Sequence, residues 1–185
     1  MFVLIPVVKN FELATIFEII NFKILSFGGK ATGTAHVTGL LSDPNAGGRF
    51  EVEGFKIDGG KMGRGDIYAG WDNKTKSIVL DADVYNEANA KSNVSGFLSQ
   101  ANDTITLMID ANDLNLNFLN KKLKSFVVNT RGTATGKVHL HGSWRAVDFD
   151  GAAAMHCSTT VKATNVRYHF TGDSMKFYKG TMEFA

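Results

Sequence analysis

Residues 29–39 read GKATGTAHVTG, and residues 132–142 read GTATGKVHLHG. In both stretches small or apolar residues alternate with polar ones, which is the period-two pattern of a β-strand with one buried face. Glycines inside such a pattern indicate bends, bulges or places where two backbones approach closely. The two stretches therefore predict the same kind of glycine-punctuated strand at two places in the chain.

The likeness continues into the neighbouring residues at a constant offset of 103 positions. Ahead of each strand the apolar residues follow a helical spacing, which predicts short helices over about residues 12–21 and 114–124. Asn112 and Asp113 precede the second of these and are candidate caps for it. A unit that recurs in this way is typical of stacked supersecondary modules. We therefore divide the chain into a first repeat, residues 1–112, and a second repeat, residues 113–185, which we expect to be truncated.

The rest of the chain alternates in the same way, as in SIVLDADVY (77–85), DTITLMID (103–110) and NVRYHF (165–170). Segments rich in Asn, Asp and Gly separate the alternating runs, among them SDPNAGG (42–48), IDGG (57–60) and FTGDS (170–174), and they predict tight turns. About ten to twelve short strands result, and strands at this spacing are typical of an antiparallel meander.

Composition limits the classes of protein that fit. Of the 185 residues 44% are hydrophobic and 21% are charged, so the chain can bury a core. The net charge is only +2 and the basic residues are scattered, which argues against nucleic acid as a partner. A single cysteine excludes an internal disulfide. No apolar run approaches the roughly 20 residues of a membrane helix, so we expect any anchor to lie in a longer parent chain.

The histidines and the cysteine are the side chains that most resemble chemistry-bearing groups. His139 and His141 are two positions apart and share a strand face, a spacing that can bind zinc, but the sequence places no third ligand. Exposed surface histidines without a metal are therefore the prediction, and His36, which matches His139 in the repeat, is expected to face outward as well. Cys157 follows His156 directly, so the two side chains point to opposite faces of a strand, which favours a packed thiol.

No catalytic constellation emerges from the sequence, and we expect no enzyme activity and no cofactor. The glycines lack the spacing of a phosphate loop. The carboxylates fall on polar strand faces or in turns, where they are expected to be solvated; they are Asp81, Asp83, Asp110 and Asp113.

The apolar strand face is the remaining candidate for function. Alternation alone allows two interpretations, the closed core of a sandwich or barrel, or the lining of an open trough that holds lipid acyl chains. The residues expected to share this face are Phe50, Val52, Ile78, Leu80, Val84, Ile105, Leu107, Ile109, Val138, Leu140, Tyr168 and Phe170.

Several short sequence motifs occur in an order that resembles a known family. They are an apolar helical stripe (116–123), the G-x-A-T-G-x-V-x-L-x-G strand (132–142), a short apolar–Asp–apolar–x–Gly strand (147–151) and a late N-x-x-Y (165–168). The first repeat adds a W-D-N turn (71–73). In this order they resemble the C-terminal region of TamB-like proteins (translocation and assembly module) of the AsmA-like superfamily, with the greatest similarity to the long Bacteroidetes versions.

The resemblance implies an all-β fold with two short helices, an elongated antiparallel β-groove (β-taco) built from repeats of about 100 residues. It also implies a place in the periplasm of a Gram-negative bacterium, in a parent anchored in the inner membrane that docks on an outer-membrane barrel of the TamA or BamA type. The implied functions are outer-membrane protein assembly or secretion and phospholipid transport, with acyl chains held in the apolar trough. The alternatives are a structural or chaperone module that pairs client strands at its sheet edges, and a closed β-sandwich adhesion domain.

Overall fold

The computed structural model describes residues 3–4, 7–19, 25–38, 45–99, 101–143, 146–178 and 181–184. These residues form twelve β-strands and two short helices. In chain order the elements are β1 (Val3–Leu4), β2 (Val7–Glu12), α1 (Leu13–Ile19), β3 (Phe27–Thr38), β4 (Asn45–Ile57), β5 (Gly60–Asp72), β6 (Ser77–Tyr85), β7 (Lys91–Ser99), β8 (Thr104–Asn115), α2 (Leu119–Lys122), β9 (Val127–Ser143), β10 (Ala146–Val161), β11 (Val166–Tyr178) and β12 (Thr181–Phe184).

All twelve strands belong to one antiparallel sheet. From β3 to β12 each strand pairs with the next one along the chain, and β1 and β2 both pair with β3 at the opposite edge. Within the described ranges β12 is not paired with β1 or β2, so the sheet is open. The predicted fold class, all-β with two short helices in an elongated antiparallel β-groove, is confirmed. A closed sandwich would need two facing sheets, and the described strands form one.

The sheet curls around its apolar face. At one end of the curl, strands that are not neighbours in the sheet come into contact, and this end is called the closed end below. Phe27 of β3 packs against the cluster of Leu98 and Leu107 from β7 and β8, although several strands separate them in the sheet. The start of β5 lies directly against the segment that follows β8, because a Cβ atom added to Gly60 would lie 2.4 Å from the backbone nitrogen of Phe118. Glycine is needed here because two backbones touch.

The connection between β4 and β5 is a two-residue hairpin turn. Asp58 and Gly59 have φ angles of 49° and 84°, the pattern of a type I′ turn, whose twist matches that of the flanking strands. The predicted turn in IDGG is therefore confirmed. Two other predicted turns are wrong in part, because β4 already begins at Asn45 and because residues 170–174 lie inside β11. There the pairing with β10 changes register between Ala154 and His156, so the sheet accommodates the glycine without ending the strand.

The second predicted helix is much shorter than expected. Instead of residues 114–124 it comprises Leu119–Lys122, one turn, and residues 114 and 115 belong to β8. Leu114 pairs with Ala134 of β9 and packs against the main apolar cluster, so long-range pairing overrides the helical spacing. Asn112 and Asp113 do not cap a helix, and the N-cap position is occupied by Phe118 without a side-chain hydrogen bond.

The first predicted helix, residues 12–21, contains α1. Glu12 is the last residue of β2, and positions 20 and 21 lie outside the described residues. Leu13 is buried in the main apolar cluster, which fits a helix that covers one end of the curled sheet.

The 103-residue repeat of the sequence is visible in the backbone. Asn10 in β2 and Asp113 in β8 both have positive φ angles, 55° and 49°. Each donates its backbone N–H to a threonine hydroxyl on the next strand, Thr32 at 3.1 Å and Thr135 at 3.0 Å. At both places the pairing with the neighbouring strand, β2 with β3 and β8 with β9, shifts its register. The same β-bulge is therefore built twice. The predicted boundary between the repeats, after residue 112, lies inside β8, and the sheet is continuous across it.

The glycines of the repeated stretch allow close backbone approach, as predicted. Gly29 and Gly132 have φ angles of 126° and 122°. A Cβ atom would lie 2.8 Å from the Glu53 carbonyl oxygen at Gly29 and 2.1 Å from the His156 carbonyl oxygen at Gly132. Glu53 and His156 are themselves related by the offset of the repeat, so the two copies use the same contact.

Candidate functional site

One face of the sheet, called the inner face below, is apolar across eight strands. The pairing register aligns residues of neighbouring strands in rows, and one such row crosses the sheet from β3 to β10 without a polar side chain. It consists of Gly33, Phe50, Ile67, Ala82, Val94, Ile109, Val138 and Gly151.

The opposite face, called the outer face, is mostly polar. The adjacent row on this side consists of Thr34, Arg49, Tyr68, Asp81, Ser95, Met108, His139 and Asp150. The period-two alternation of the sequence thus becomes a sheet with one apolar and one polar surface. Among the described residues the apolar side chains are concentrated on the inner face, so the two faces differ in what they can bind.

The inner face is divided into three contacting groups of side chains. At the closed end the buried residues are Leu13, Ala31, Val52, Phe55, Met62 and Val84. In the middle Leu98, Ile105 and Leu107 are buried, with Ile78, Leu80, Val94 and Leu140 packed around them. Towards β11 the group contains Ala153 and Met175, with Val138, Phe149, Met155 and Phe170 around them.

Ten of the twelve predicted lining residues belong to these groups. Val52, Val84, Ile105 and Leu107 are buried, and Phe50, Ile78, Leu80, Val138, Leu140 and Phe170 are partly buried beside them. Ile109 lies in the inner-face row between Val94 and Val138. Tyr168 shares the face of Phe170, two positions along β11, and is 46% exposed.

Several residues of the inner face are not among the twelve predicted lining residues. Ile67, Val94 and Phe149 are examples. Each lies in an alternating segment, GDIYAG, SNVSGF and AVDFDG, so the same period-two signal was present. These segments carry glycine or alanine at neighbouring positions, which makes the alternation less visible than in SIVLDADVY.

The closed end of the curled sheet is held by a buried carboxylate. The Asp58 side chain is 1% exposed, and its Oδ1 accepts hydrogen bonds from the backbone N–H and the hydroxyl of Ser26, both at 3.0 Å. The ammonium groups of Lys121 and Lys122, from α2, lie 3.3 Å and 3.5 Å from its two oxygens. Burial by itself raises the pKa of Asp58, but the bonds from Ser26 and the two lysines outweigh burial and lower this pKa below its usual value.

The outer-face carboxylates are engaged in hydrogen bonds with neighbouring strands. The Asn93 amide donates to Asp81 at 3.0 Å and to Asp83 at 2.9 Å, and Lys91 lies 3.1 Å from Asp83. The bond from Asn93 is the main reason that the pKa of Asp83 is lowered. Asp81 and Asp83 border a shallow depression of about 330 Å³ that is also lined by Arg49 and Asp66. The lowered pKa favours the ionised form of Asp83.

Cys157 and His156 point to opposite faces, as predicted. Cys157 is half-buried and lies opposite Phe170 of β11, whereas His156 is exposed. Burial raises the pKa of the Cys157 thiol, which lowers its reactivity. This thiol is therefore a packing group.

None of the helices in the described ranges is long and apolar enough to cross a membrane. Comparison with protein-family models, with curated proteins and with solved structures found no match for this chain.

Proposed function

We propose that this chain is a periplasmic β-groove module of a TamB-like protein and that it holds the acyl chains of phospholipids along its inner face. The observation that carries the proposal is the apolar row from β3 to β10 in a sheet whose two edge strands do not pair with each other within the described ranges. The resemblance of the sequence motifs to TamB-like proteins supports it independently.

The physical basis of the proposed binding is burial of methylene groups. Each buried methylene contributes about 0.8 kcal/mol, so a chain that lies across several strands is held firmly. Successive rows of the inner face present similar apolar groups, so an acyl chain could shift from one row to the next at small cost. This property suits transport between an inner-membrane anchor and an outer-membrane barrel of the TamA or BamA type, which we propose as the partners of the parent protein.

On the inner face, the apolar side chains that are more accessible to a lipid lie near β10 and β11. The inner face near β3–β5 is covered by Leu13 and by the segment around Phe118. Towards β10 and β11 the apolar side chains are more exposed, and Val147, Val166 and Tyr168 are each more than two-fifths exposed, at 41%, 46% and 46%. We propose that acyl chains contact the sheet there first.

The proposal is tested by mass spectrometry and by site-specific photocrosslinking. The purified chain is extracted with organic solvent, and phospholipid is expected at a stoichiometric level that a control protein purified alongside lacks. A photoreactive benzophenone amino acid is then placed at Tyr168, on the inner face, or at His169, its exposed neighbour on the outer face. We expect a lipid adduct at position 168 only. A lipid-free protein, or equal adducts at both positions, would contradict the proposal.

A second candidate function rests on the open sheet edges. In the described part of the chain β12 pairs only with β11, while β1 and β2 pair only with β3. Unpaired strand edges can bind an extended client strand by β-augmentation. Proline substitutions along β12 and β2 would then abolish client binding and leave the lipid content unchanged. Loss of lipid with retained client binding in an inner-face variant would separate the two functions.

A further inference from the structure

The outer face carries a cluster of three potential metal ligands at the hairpin of β9 and β10. His139 and His141 come from β9, and the register places Asp150 of β10 directly opposite His139. One ligand atom from each of the three side chains lies within 4.8 Å of the other two. The Nε2 atom of His141 lies 2.8 Å from an Asp150 carboxylate oxygen, and the two imidazole rings are 4.8 Å apart.

We propose that His139, His141 and Asp150 bind a divalent transition metal ion of the zinc type. Two imidazole nitrogens and one carboxylate oxygen are a common zinc ligand set, and zinc with three protein ligands keeps one position for water or another ligand. The ion would bind between the His141 and Asp150 side chains, which a hydrogen bond now joins, and rotation of the His139 ring would bring its nitrogen towards the same point.

The paired strands β9 and β10 hold these three side chains in a defined arrangement, unlike an accidental cluster of surface side chains. The two ligating strands are hydrogen-bonded to each other along their length, so the three Cα positions are held in place. The side chains of His141 and Asp150 are 34% and 38% exposed, which leaves access for an ion while limiting the number of conformations. A rigid element positions ligands more accurately than a loop does.

The surrounding charges are compatible with a cation. Asp148 lies opposite His141 on β10, and a second carboxylate near the site attracts a metal ion. Lys137 shares the outer face, but its ammonium group lies 3.1 Å from Asp110 on β8. Its positive charge is therefore partly neutralised by a different carboxylate.

The repeat provides a matched control. His36 corresponds to His139 at the 103-residue offset, but the positions that correspond to His141 and Asp150 are Thr38 and Gly47. The His36 ring lies against Gly47, because a Cβ atom added there would be 2.9 Å from it. The first repeat thus presents a histidine on the same strand position and face without the other two ligands.

The experiment is a zinc titration of the tag-free chain by isothermal calorimetry, with lipid content and circular dichroism recorded for every variant. We expect one zinc ion per chain, a loss of affinity of about tenfold or more in His139→Ala and Asp150→Asn, and no change in His36→Ala. The lipid content is expected to stay constant in all of them, so a failure of this proposal is distinguishable from a failure of the lipid proposal. Equal losses in His36→Ala and His139→Ala, or binding without a defined stoichiometry, would overturn it.

A second readout does not depend on affinity. Cobalt(II) in a four-coordinate protein site absorbs visible light far more strongly than the hydrated ion. We expect this band in the unmodified chain and in His36→Ala, and its loss in His139→Ala. A spectrum of the hydrated ion in the unmodified chain, with circular dichroism showing a folded sheet, would also overturn the proposal.

Discussion

Asp58 is a buried polar residue that connects separate segments of the chain at the closed end of the sheet. It occupies the β4–β5 turn at a positive φ angle, donates its backbone N–H to the Ser26 carbonyl at 2.8 Å and accepts two bonds from Ser26 through its carboxylate. Lys121 and Lys122 bring α2 to the same point. A buried carboxylate is tolerated because it is paired and hydrogen-bonded. This one side chain therefore joins three separate parts of the chain.

We expect Asp58→Ala to lower the free energy of unfolding by about 1–3 kcal/mol, because the Ser26 N–H loses its acceptor. Urea denaturation followed by circular dichroism measures the change. Glu87→Ala, at an exposed carboxylate in the β6–β7 turn, is the control and should change stability by less than about 0.5 kcal/mol.

The same residue gives a pH dependence of defined sign. Because the folded-state pKa of Asp58 lies below its usual value of 3.8, its stabilisation is complete above that value and is lost as the pH falls through the lowered pKa. The stability difference between the unmodified chain and Asp58→Ala should therefore shrink on acidification below about pH 4. Thermal unfolding across pH 2 to 7 tests this, and a difference that grows towards low pH would contradict it.

Gly132 shows the cost of placing a side chain where two strands touch. With φ at 122° and a Cβ position 2.1 Å from the His156 carbonyl oxygen, Gly132→Ala must displace β9 from β10. We expect a loss of about 1–3 kcal/mol, measured by urea denaturation. Gly28→Ala is the matched control, because its Cβ would meet Lys56 at an ordinary 3.7 Å. Similar losses in both variants would contradict the role of close approach.

Among the secondary-structure elements, α2 depends on contacts with β9 for its stability. A helix of four residues has no stability of its own in water. The Asn120 amide donates to the Thr130 carbonyl at 2.8 Å and accepts from the Thr130 N–H at 2.7 Å, which fastens α2 to β9. The equivalent position in the first repeat is Phe17. The two repeats therefore share strands and bulges but differ in how their helical segments are fixed.

Asn120→Ala should lower the free energy of unfolding by about 1–3 kcal/mol, because the buried Thr130 backbone loses both partners. Hydrogen exchange should show faster exchange at Thr130, with the strands near β6 unaffected. Lys124→Ala, at an exposed position just after α2, is the control and should leave both measurements unchanged.

At the scale of the whole molecule, the sheet is a curved surface with chemically different sides. The curl encloses the inner face at the end where β5 meets the segment after β8 and leaves apolar groups more exposed towards β11. Two-sided sheets of this kind allow a test in which substitutions of the same type are placed on either face.

The double variant Val138→Asn/Leu140→Asn changes the inner face, and Val79→Asn/Phe97→Asn changes apolar residues of the outer face. Val79 and Phe97 are 40% and 39% exposed. We expect the inner-face variant to co-purify with phospholipid at a level lower by about tenfold or more. The reason is that a loss of about 1.4 kcal/mol in binding free energy lowers the affinity tenfold. The outer-face variant should keep its lipid. Circular dichroism establishes that both are folded, and an inner-face variant that is folded and retains its lipid would count against the proposed groove.

Much of this architecture was predictable from local patterns. Alternation placed Leu80 and Leu140 on one face and Asp81 and His139 on the other, and the structure agrees. The repeat predicted the same kind of glycine-punctuated strand at residues 29–39 and 132–142, and β3 and β9 are those strands. These properties depend on neighbouring residues only, because side chains of a strand alternate whatever the strand pairs with.

Other properties required the tertiary structure. The strand faces and the repeat are predictable from the sequence alone, since they follow from periodicity and from residue identity. Only the fold decided that residue 114 extends β8 instead of starting a helix, that Asp58 is buried beneath α2, and that Asp150 joins His139 and His141. The physical reason is that pairing register and sheet curvature bring together residues far apart in the chain, and their energy depends on all the partners at once.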